Sequence, residues 1–390
     1  MNKSINIGVV GGGVIGTSVA YYCAKEGFDV TLVEAGEIAS GTSSKCEGDF
    51  LVSDKLPGYD SQLSRLSLEL YGSLQDELDC PVEISHKGSL LVAETDVEME
   101  KMAELCRLQR DAGLAVRMMD RKELREEVPL IADDIPGACE TAIDGALNPM
   151  ALCNAFAYQT KKLGGRVVSR APVNAIRQKT GGGFAIRTAG DTFNADVVVN
   201  CGGVWAPEIA AMVGLKVPVE PRQGQLIVAE QTCRPAPRKM YEFGYMMAKF
   251  QSGDYVRPVP RNIEEEMVTF IYEPTESHNF LLGGSRRFCG MDTSTDIKVL
   301  KAIAQRAVRF IPALKDIKVI RTFAGLRPYT PDHMPIISDT SVPGYYIAAG
   351  HEGDGISFAP ITGRLIAQMV KGESLPIDPK PLRYDRFPLA

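Results

Sequence analysis

The stretch INIGVVGGGVIGTSVAYYCAKEGFDVTLVEAG, residues 5–36, constrains this chain more than any other. Ile5–Val10 reads as a buried parallel strand, because its apolar residues are unbroken by charge. Gly11, Gly13 and Gly16 then fit G-x-G-x-x-G. In that pattern Gly11 permits the tight turn, Gly13 lets the backbone approach a pyrophosphate, and Gly16 allows close packing of helix on strand. A helix is predicted to about Lys25, with Gly27 as its C-terminal cap. Its first turn, with Val14 and Ile15, offers free N–H groups and a helix dipole to phosphate charge. DVTLVE (29–34) is a second strand, and Glu34 at its end is placed to accept hydrogen bonds from ribose hydroxyls, with Ala35 beside it. A carboxylate there repels a 2′-phosphate, so the expected ligand is FAD or NAD rather than NADP.

The same stretch imitates a targeting signal, since Ile7–Ala24 is uncharged, apolar and preceded by Lys3. Its glycines and the strand-like run that follows favour a buried strand–turn–helix. No other run approaches membrane length, so no membrane span is expected. A net charge of −6 argues against nucleic acid as partner, because phosphate binding needs concentrated Lys and Arg. Nine scattered cysteines form no C-x-x-C pair and no zinc spacing, which suggests free thiols in a reducing, cytoplasmic setting. Four histidines lie far apart, so no metal site is expected.

Further along, helical spacing marks residues 61–78, 96–113, 148–165 and 295–312. Strands are predicted in GSLLVAE (88–94), in RVV, APVNAIRQ, FAIRT and ADVVVNCGG, and in QGQLIVAE (223–230), MVTFIYE (267–273) and NFLLGGS (279–285). The fold class expected is α/β, or α+β overall: a Rossmann-like nucleotide domain with an antiparallel-sheet substrate domain. The nucleotide domain is expected from residues 1–82, 145–220 and 321–390, and the substrate domain from 83–144 and 221–320.

Several segments together carry a family likeness. ASGTSS (39–44), ADVVVNCGGVWA (195–206), AGLRPYTPDHMPII (324–337) and YYIAAGHEGDGISFAP (345–360) follow the N-terminal motif in order. With them, the chain resembles the D-amino-acid-oxidase-like FAD amine oxidoreductases over nearly its whole length. The resemblance implies non-covalent FAD, because Ala324, Gly325 and Leu326 stand where some sarcosine oxidases carry a flavin-linking cysteine. It also implies oxidation of a C–N bond by hydride transfer, for which no metal and no dedicated strong base is needed. The protein then supplies orientation and electrostatics.

Residue by residue, the resemblance places Ser40, Thr42, Ser43, Ser44, Lys45 and Cys46 along the cofactor. It adds Val173, Cys201, Gly202 and Trp205 from the middle of the chain. Gly325, Arg327, Gly350, Glu352, Gly353, Asp354, Gly355 and Ile356 complete the cofactor set. Arg327 occupies the place of the family's carboxylate-binding arginine, where a guanidinium can grip a substrate carboxylate bidentately; a structural salt bridge is the alternative. Tyr255, Tyr272, Tyr329 and His351 are candidates to close the substrate pocket. Lys45 can balance the flavin or bind substrate, or be a surface lysine, and Cys46 more often packs than reacts. Trp205 reads more readily as core packing than as a contact. Asp332 and His333, adjacent in an extended stretch, should point to opposite sides.

The turn GHEGDG has three readings: metal site, acid/base dyad, or backbone cradle. The first lacks further ligands nearby and the second is not required by hydride transfer, so the cradle is expected, leading into a helix from near Ile356. GGSRRFCGMDT (283–293) and the two C-terminal segments look most like catalytic β subunits of proline, hydroxyproline and opine dehydrogenase complexes. That implies a secondary or N-substituted amino acid as substrate and an electron-accepting partner subunit. The lysine that promotes oxygen reaction in sarcosine oxidases would fall near Leu281, and NFLLGG has none. A self-sufficient glycine, sarcosine or D-amino-acid oxidase is the alternative, and a non-catalytic subunit that keeps FAD for folding is another.

Overall fold

The apolar strands at the start of the chain form the centre of a six-stranded sheet in the computed structural model, which describes residues 5–231, 235–250 and 255–388. Across the sheet run Ile336–Asp339, Tyr345–Ala349, Val197–Asn200, Asn6–Val10 (β1), Asp29–Val33 (β2) and Arg166–Val168. Neighbours are parallel except for the edge pair Ile336–Asp339 and Tyr345–Ala349. A parallel sheet needs cover on both faces, which is why β1 and β2 lack alternation. The region that imitates a targeting signal is β1 and the helix Val14–Lys25 (α1), almost wholly buried. Among the described residues, no helix is long and apolar enough to cross a membrane.

α1 packs against the helices Pro149–Lys162 and Gly355–Lys371. Its crossing with the latter is close: Ser18 Oγ donates to the Ala359 carbonyl at 2.6 Å. A Cβ on Gly363 would lie 2.5 Å from that hydroxyl. Pro360 lies inside the same helix and has no N–H, which would leave the Ile356 carbonyl unpaired. Tyr71 OH donates to that carbonyl at 2.6 Å instead. The other covering element is an antiparallel sheet of Ala175–Gln178, Phe184–Arg187 and Thr192–Ala195. Ile186 from it sits over β1 where Gly8 has no side chain; a Cβ there would be 2.3 Å from Ile186 Cδ1.

The second large sheet has eight strands in the order Val319–Tyr329, Glu220–Ala229, Phe280–Gly283, Ile271–Pro274, Lys239–Glu242, Ser89–Ala93, Gly137–Thr141 and Val116–Asp120. Only the Lys239–Glu242 and Ser89–Ala93 pair is parallel. The helix Ile297–Phe310 covers it with Val299, Ala302, Ile303, Ala307 and Phe310, and Phe310 stacks on Phe270 at 4.4 Å. Arg306 shares this buried face, held by Glu94 and Glu242, which burying a guanidinium requires.

Some expectations shift. MVTFIYE narrows to Ile271–Pro274, and GSLLVAE to Ser89–Ala93. The strands Val116–Asp120 and Gly137–Thr141, and the helix Arg121–Glu127, come from a stretch with no clear period in the sequence. The eleven-residue strand Val319–Tyr329 pairs along all of Glu220–Ala229. A boundary at 321 therefore cuts a strand of the eight-stranded sheet.

Candidate active site

Two glycines of the N-terminal turn are required by backbone contact. Gly11 has φ +113°, and a Cβ there would lie 2.4 Å from the Cys201 carbonyl oxygen. A Cβ on Gly16 would lie 1.8 Å from the Gly11 carbonyl oxygen. Gly13 caps α1 in extended conformation, and the Val14 N–H donates to Ser43 Oγ at 3.0 Å. Glu34 braces the turn, its Oε2 accepting from the Gly12 N–H at 2.5 Å and its Oε1 from the Gly36 N–H at 2.7 Å. Each carboxylate oxygen keeps acceptor capacity for a hydroxyl.

A cavity of about 600 Å³ opens over this turn. Glu34, Ala35, Ser40 and Val173 line it, as do Val14, Ile15, Thr42, Ser43, Cys201, Gly202 and Trp205. Lys45, Cys46, Glu47, Gly325, Arg327, Gly350, His351, Glu352, Gly353, Gly355 and Ile356 line it too. Strand ends and helix N-termini meet there, as at the ligand crevice of open α/β sheets. Gly16 contributes by packing. Ser44 lines a second cavity on the far side of Lys45 and Cys46, and Asp354 lines a third. Trp205 is not core: 42% of it is exposed, against Gly41 at the cavity edge. A long cradle with backbone N–H groups at one part, the Glu34 carboxylate beside it and an apolar wall fits FAD.

Arg327 is positioned by what surrounds it. It stands opposite Arg222 on the paired strands, and its Nη1 donates to the Ser285 carbonyl at 2.9 Å. A Cβ on Gly224 would come within 2.1 Å of Nη1, so the missing side chain leaves room for the guanidinium to lie along the strand. A Cβ on Gly325 would meet the Lys45 carbonyl oxygen at 2.4 Å, and Thr42 Oγ1 donates to the Leu326 carbonyl at 2.6 Å. The strand carrying Arg327 is thereby clamped to the 42–45 segment. Arg327 also lines the third cavity, of about 110 Å³, together with Glu47, Asp49, Lys239, Arg286 and Gly353.

The GHEGDG turn is backbone-built, with Gly350 at φ +78° and Glu352 at φ +46°. His351 is buried, its Nε2 3.0 Å from Thr362 Oγ1, and burial pushes its pKa down to about 3, so the ring is neutral. Glu352 accepts from Arg222 Nη2 at 2.9 Å and lies 3.1 Å from His333 Nδ1. Asp354 is ion-paired with Lys55 at 2.7 Å. Burial opposes the Lys55 charge, but Asp354 and Asp54 outweigh it and hold the ammonium strongly protonated. Among the described residues, no group of three or more His, Cys, Asp or Glu side chains could hold a metal.

Several candidates fall elsewhere. Tyr272 is fully buried in the core of the eight-stranded sheet, its OH donating to the Ala236 carbonyl at 3.1 Å, so it cannot close the pocket. Tyr255 OH donates to Glu98, away from the residues lining the three cavities described. The Tyr329 ring lies under Arg222, 5.0 Å from its guanidinium carbon, and edge-on to Phe288 and His333. It supports the Arg222 side chain rather than facing the small cavity. His333 is in a left-handed turn, φ 63°, not an extended stretch; Asp332 meanwhile pairs with Arg386 at 2.6 Å. Burial raises the Cys46 thiol far above its ordinary range, the setting of an inert thiol. The eight described cysteines are all free thiols, and Cys233 lies outside the described residues.

Other site residues had no signal of their own in the sequence. Lys239 is ion-paired with Asp49 and lies 3.5 Å from Glu273, whose strand neighbour across the ladder is Leu281. A lysine therefore does reach the wall near Leu281, from another strand. Glu273 is buried; desolvation first, with Glu47 adding, raises its carboxyl to about 7 against the pull of Lys239. Glu47 Oε1 is buried with no hydrogen-bond partner. Such a group can be found only when the strands are assembled, since its neighbours lie far apart in sequence.

A dinucleotide cradle on a parallel sheet, opening onto a small charged chamber beneath a mixed sheet, defines a flavin-dependent oxidoreductase. Residues 6–369 match the DAO family, FAD dependent oxidoreductase, and the chain belongs to it. It is similar to a glycine oxidase of Geobacillus kaustophilus, 27% identical over 395 residues, covering 99% of this chain and 98% of that protein. It is also similar to the hydrogen cyanide synthase subunit HcnC of Pseudomonas aeruginosa, 25% identical over 99% of this chain and 97% of the other. The crystal structure of L-proline dehydrogenase from P. horikoshii superposes with a TM-score of 0.85 at 25% identity, covering 99% of each chain. The protein is thus an FAD-dependent enzyme whose relatives include amino-acid oxidases and dehydrogenases.

Proposed function

We propose that this chain oxidises the C–N bond of a secondary or N-substituted amino acid, with FAD held non-covalently, as the catalytic subunit of a multi-subunit dehydrogenase. The observation that carries the C–N chemistry is Arg327, a guanidinium on the wall shared by the flavin cavity and the small chamber. Bound FAD supplies the hydride acceptor. The substrate loses a hydride from the carbon next to nitrogen and a proton from nitrogen, giving an imine that water hydrolyses. Arg327 fixes the carboxylate by charge-assisted hydrogen bonds, so that one C–H is presented to the cavity. Lys45, whose backbone is clamped under Gly325, lines the same cavity and adds positive charge there. The N-terminus of the Gly355–Lys371 helix does the same from the other side.

The subunit role rests on the likeness of three C-terminal segments to dehydrogenase β subunits, and on the subunit status of HcnC. The missing lysine near Leu281 no longer adds weight, because Lys239 reaches that wall, although Asp49 and Glu273 engage it. A self-sufficient oxidase is the second reading, favoured by the similarity to glycine oxidase. Steady-state turnover of the purified, FAD-loaded chain separates them. The dehydrogenase reading expects slow peroxide formation and a large rate gain from an added electron acceptor; fast peroxide formation with no gain would refute it.

A further inference from the structure

Asp144 is a fully buried carboxylate that C–N oxidation at Arg327 leaves unused. Its Oδ1 accepts from the Val52 N–H at 2.8 Å, and its Oδ2 from Ser89 Oγ at 2.6 Å and from Ser53 Oγ. The Ser53 hydroxyl has one proton, which Asp144 takes, so the Tyr241 hydroxyl bonded to Ser53 Oγ must be the donor there. The bonds therefore run in one direction, from Tyr241 through Ser53 to Asp144. Gln109 Nε2 fixes the segment that carries Ser53, donating to the Ser53 and Lys55 carbonyls at 3.0 Å each. The outer end of this chain is at the small chamber. Tyr241 lines it with Lys239, two residues earlier on the same strand face, and Leu51 and Asp54 line it from either side of Ser53 in sequence. Tyr241 has Asp144, Asp54, the buried Cys139 thiol and Lys239 as its titratable neighbours, the Lys239 Nζ standing 6.0 Å from the ring. Burial first, then Asp144 and Asp54, holds the phenol far above its ordinary range, so it can pass a proton on without becoming charged. Burial raises the Asp144 carboxyl to about 6 against the pull of Ser53, Ser89 and the Val52 N–H, and Asp54 adds to the rise. At neutral pH it is ionised and able to accept a proton.

A free amino acid carries an ammonium at neutral pH, and the forming C=N bond needs the nitrogen lone pair. One proton must therefore leave nitrogen before the hydride leaves carbon. We propose that the hydrogen-bonded chain Tyr241–Ser53–Asp144 takes that proton from the substrate in the small chamber. This rests on the reading that the protein oxidises a C–N bond beside Arg327. The substrate N–H proton passes to the Tyr241 oxygen as the Tyr241 proton moves to Ser53 and the Ser53 proton to Asp144 Oδ2. The nitrogen keeps its electron pair, the carboxylate becomes a carboxylic acid, and no electrons are exchanged. Desolvation in a chamber of about 110 Å³ favours the neutral amine over the ammonium, which brings the two proton affinities closer. Once the product has left, the chain returns the proton by the same route to water in the chamber.

The test follows anaerobic flavin reduction in the FAD-loaded protein by N-methylglycine, N-ethylglycine and L-proline, from about pH 7 to about pH 10. Tyr241→Phe should be reduced at least ~10-fold more slowly than the wild type at the lower pH. At the upper pH, where the free amine arrives already neutral, it should match the wild type within about 2-fold. Ser53→Ala should behave alike, and Ser53→Thr, which keeps a hydroxyl, should restore much of the rate. FAD content checks that each variant is folded. A deficit that stays constant with pH would overturn the proposal, since a residue that only shapes the chamber acts on both forms of the substrate. An undiminished rate in FAD-replete Tyr241→Phe would do the same, and in either case C–N oxidation stands. If the variants lose their FAD, the wild type decides. Its reduction should be slower in D2O than in H2O at the lower pH, and equal rates there would refute the relay. Bleaching by none of the three amines removes the underlying reading and this proposal with it.

Discussion

Arg222 and Arg327 stand directly opposite each other on neighbouring antiparallel strands, yet they meet different partners. Arg222 turns to Glu352, 2.9 Å away, and lies over the Tyr329 ring. Arg327 donates to a neutral carbonyl, that of Ser285, and faces the cavities. Two like charges directly across a ladder are unfavourable unless something offsets them. Glu352 does so for Arg222, while Arg327 lies on the wall of both cavities, where a substrate carboxylate can join its partners.

Replacing that guanidinium should therefore affect substrate and not cofactor. Arg327→Ala is expected to lower kcat/KM for carboxylated amines by about 100-fold or more, the scale of a lost charge-assisted pair. FAD content should stay at the wild-type level, because the glycine turn and Glu34 are untouched. Steady-state kinetics beside the flavin absorbance of the purified variant checks both halves.

Glu34→Gln tests the other part of the cavity. One oxygen of the carboxylate accepts from Gly12 and the other from Gly36. An amide keeps one acceptor and turns a donor toward the other N–H, so the turn loses a brace and the ribose loses an acceptor. FAD should bind about 10-fold more weakly, read by fluorescence titration of the stripped protein. An unchanged dissociation constant would remove Glu34 from the cofactor contacts.

Gly16→Ala should fail for a steric reason, since the new Cβ would sit 1.8 Å from the Gly11 carbonyl oxygen, a backbone atom that cannot swing aside. The expected loss is ~2 kcal/mol of stability or more, with FAD retention falling alongside. Denaturant unfolding with and without added FAD measures it.

Glu273 makes stability pH-dependent. Its folded pKa, raised by burial from 4.5 to about 7, lies above the unfolded one. The folded state thus binds a proton more readily, and the stability this adds is complete below about 4.5 and is lost as pH rises through about 7. Glu273→Gln removes the titration. The variant should gain on the wild type by ~1–3 kcal/mol at pH 8, and the gain should shrink as the pH is brought down toward 5. Thermal unfolding at both pH values checks the sign; a gain that grows at low pH would contradict it.

The N-terminal half of the site was legible because local chemistry fixes it. Gly11, Gly13, Gly16 and Glu34 lie within one strand–turn–helix–strand unit, where spacing alone sets geometry. Arg327 and the GHEGDG turn were legible through family likeness. The chamber wall was not, because Glu47, Asp49, Lys239 and Arg286 lie far apart in sequence and meet only when the chain is folded. Tyr272 shows the converse error: an aromatic in an alternating strand has two faces to choose from, and its side chain lies in the core. The long strand Val319–Tyr329 was not read as a strand: it carries Gly325 and Pro328, which weaken strand propensity, and its partner strand holds it extended.

The most direct measurement is anaerobic mixing of the FAD-loaded chain with a panel of primary, N-alkyl and cyclic amino acids, followed by the visible flavin absorbance. C–N oxidation oriented by Arg327 predicts bleaching by at least one secondary amino acid in the wild type, and strongly slowed bleaching in Arg327→Ala at equal FAD content. Full bleaching by dithionite with none by any carboxylated amine would contradict it.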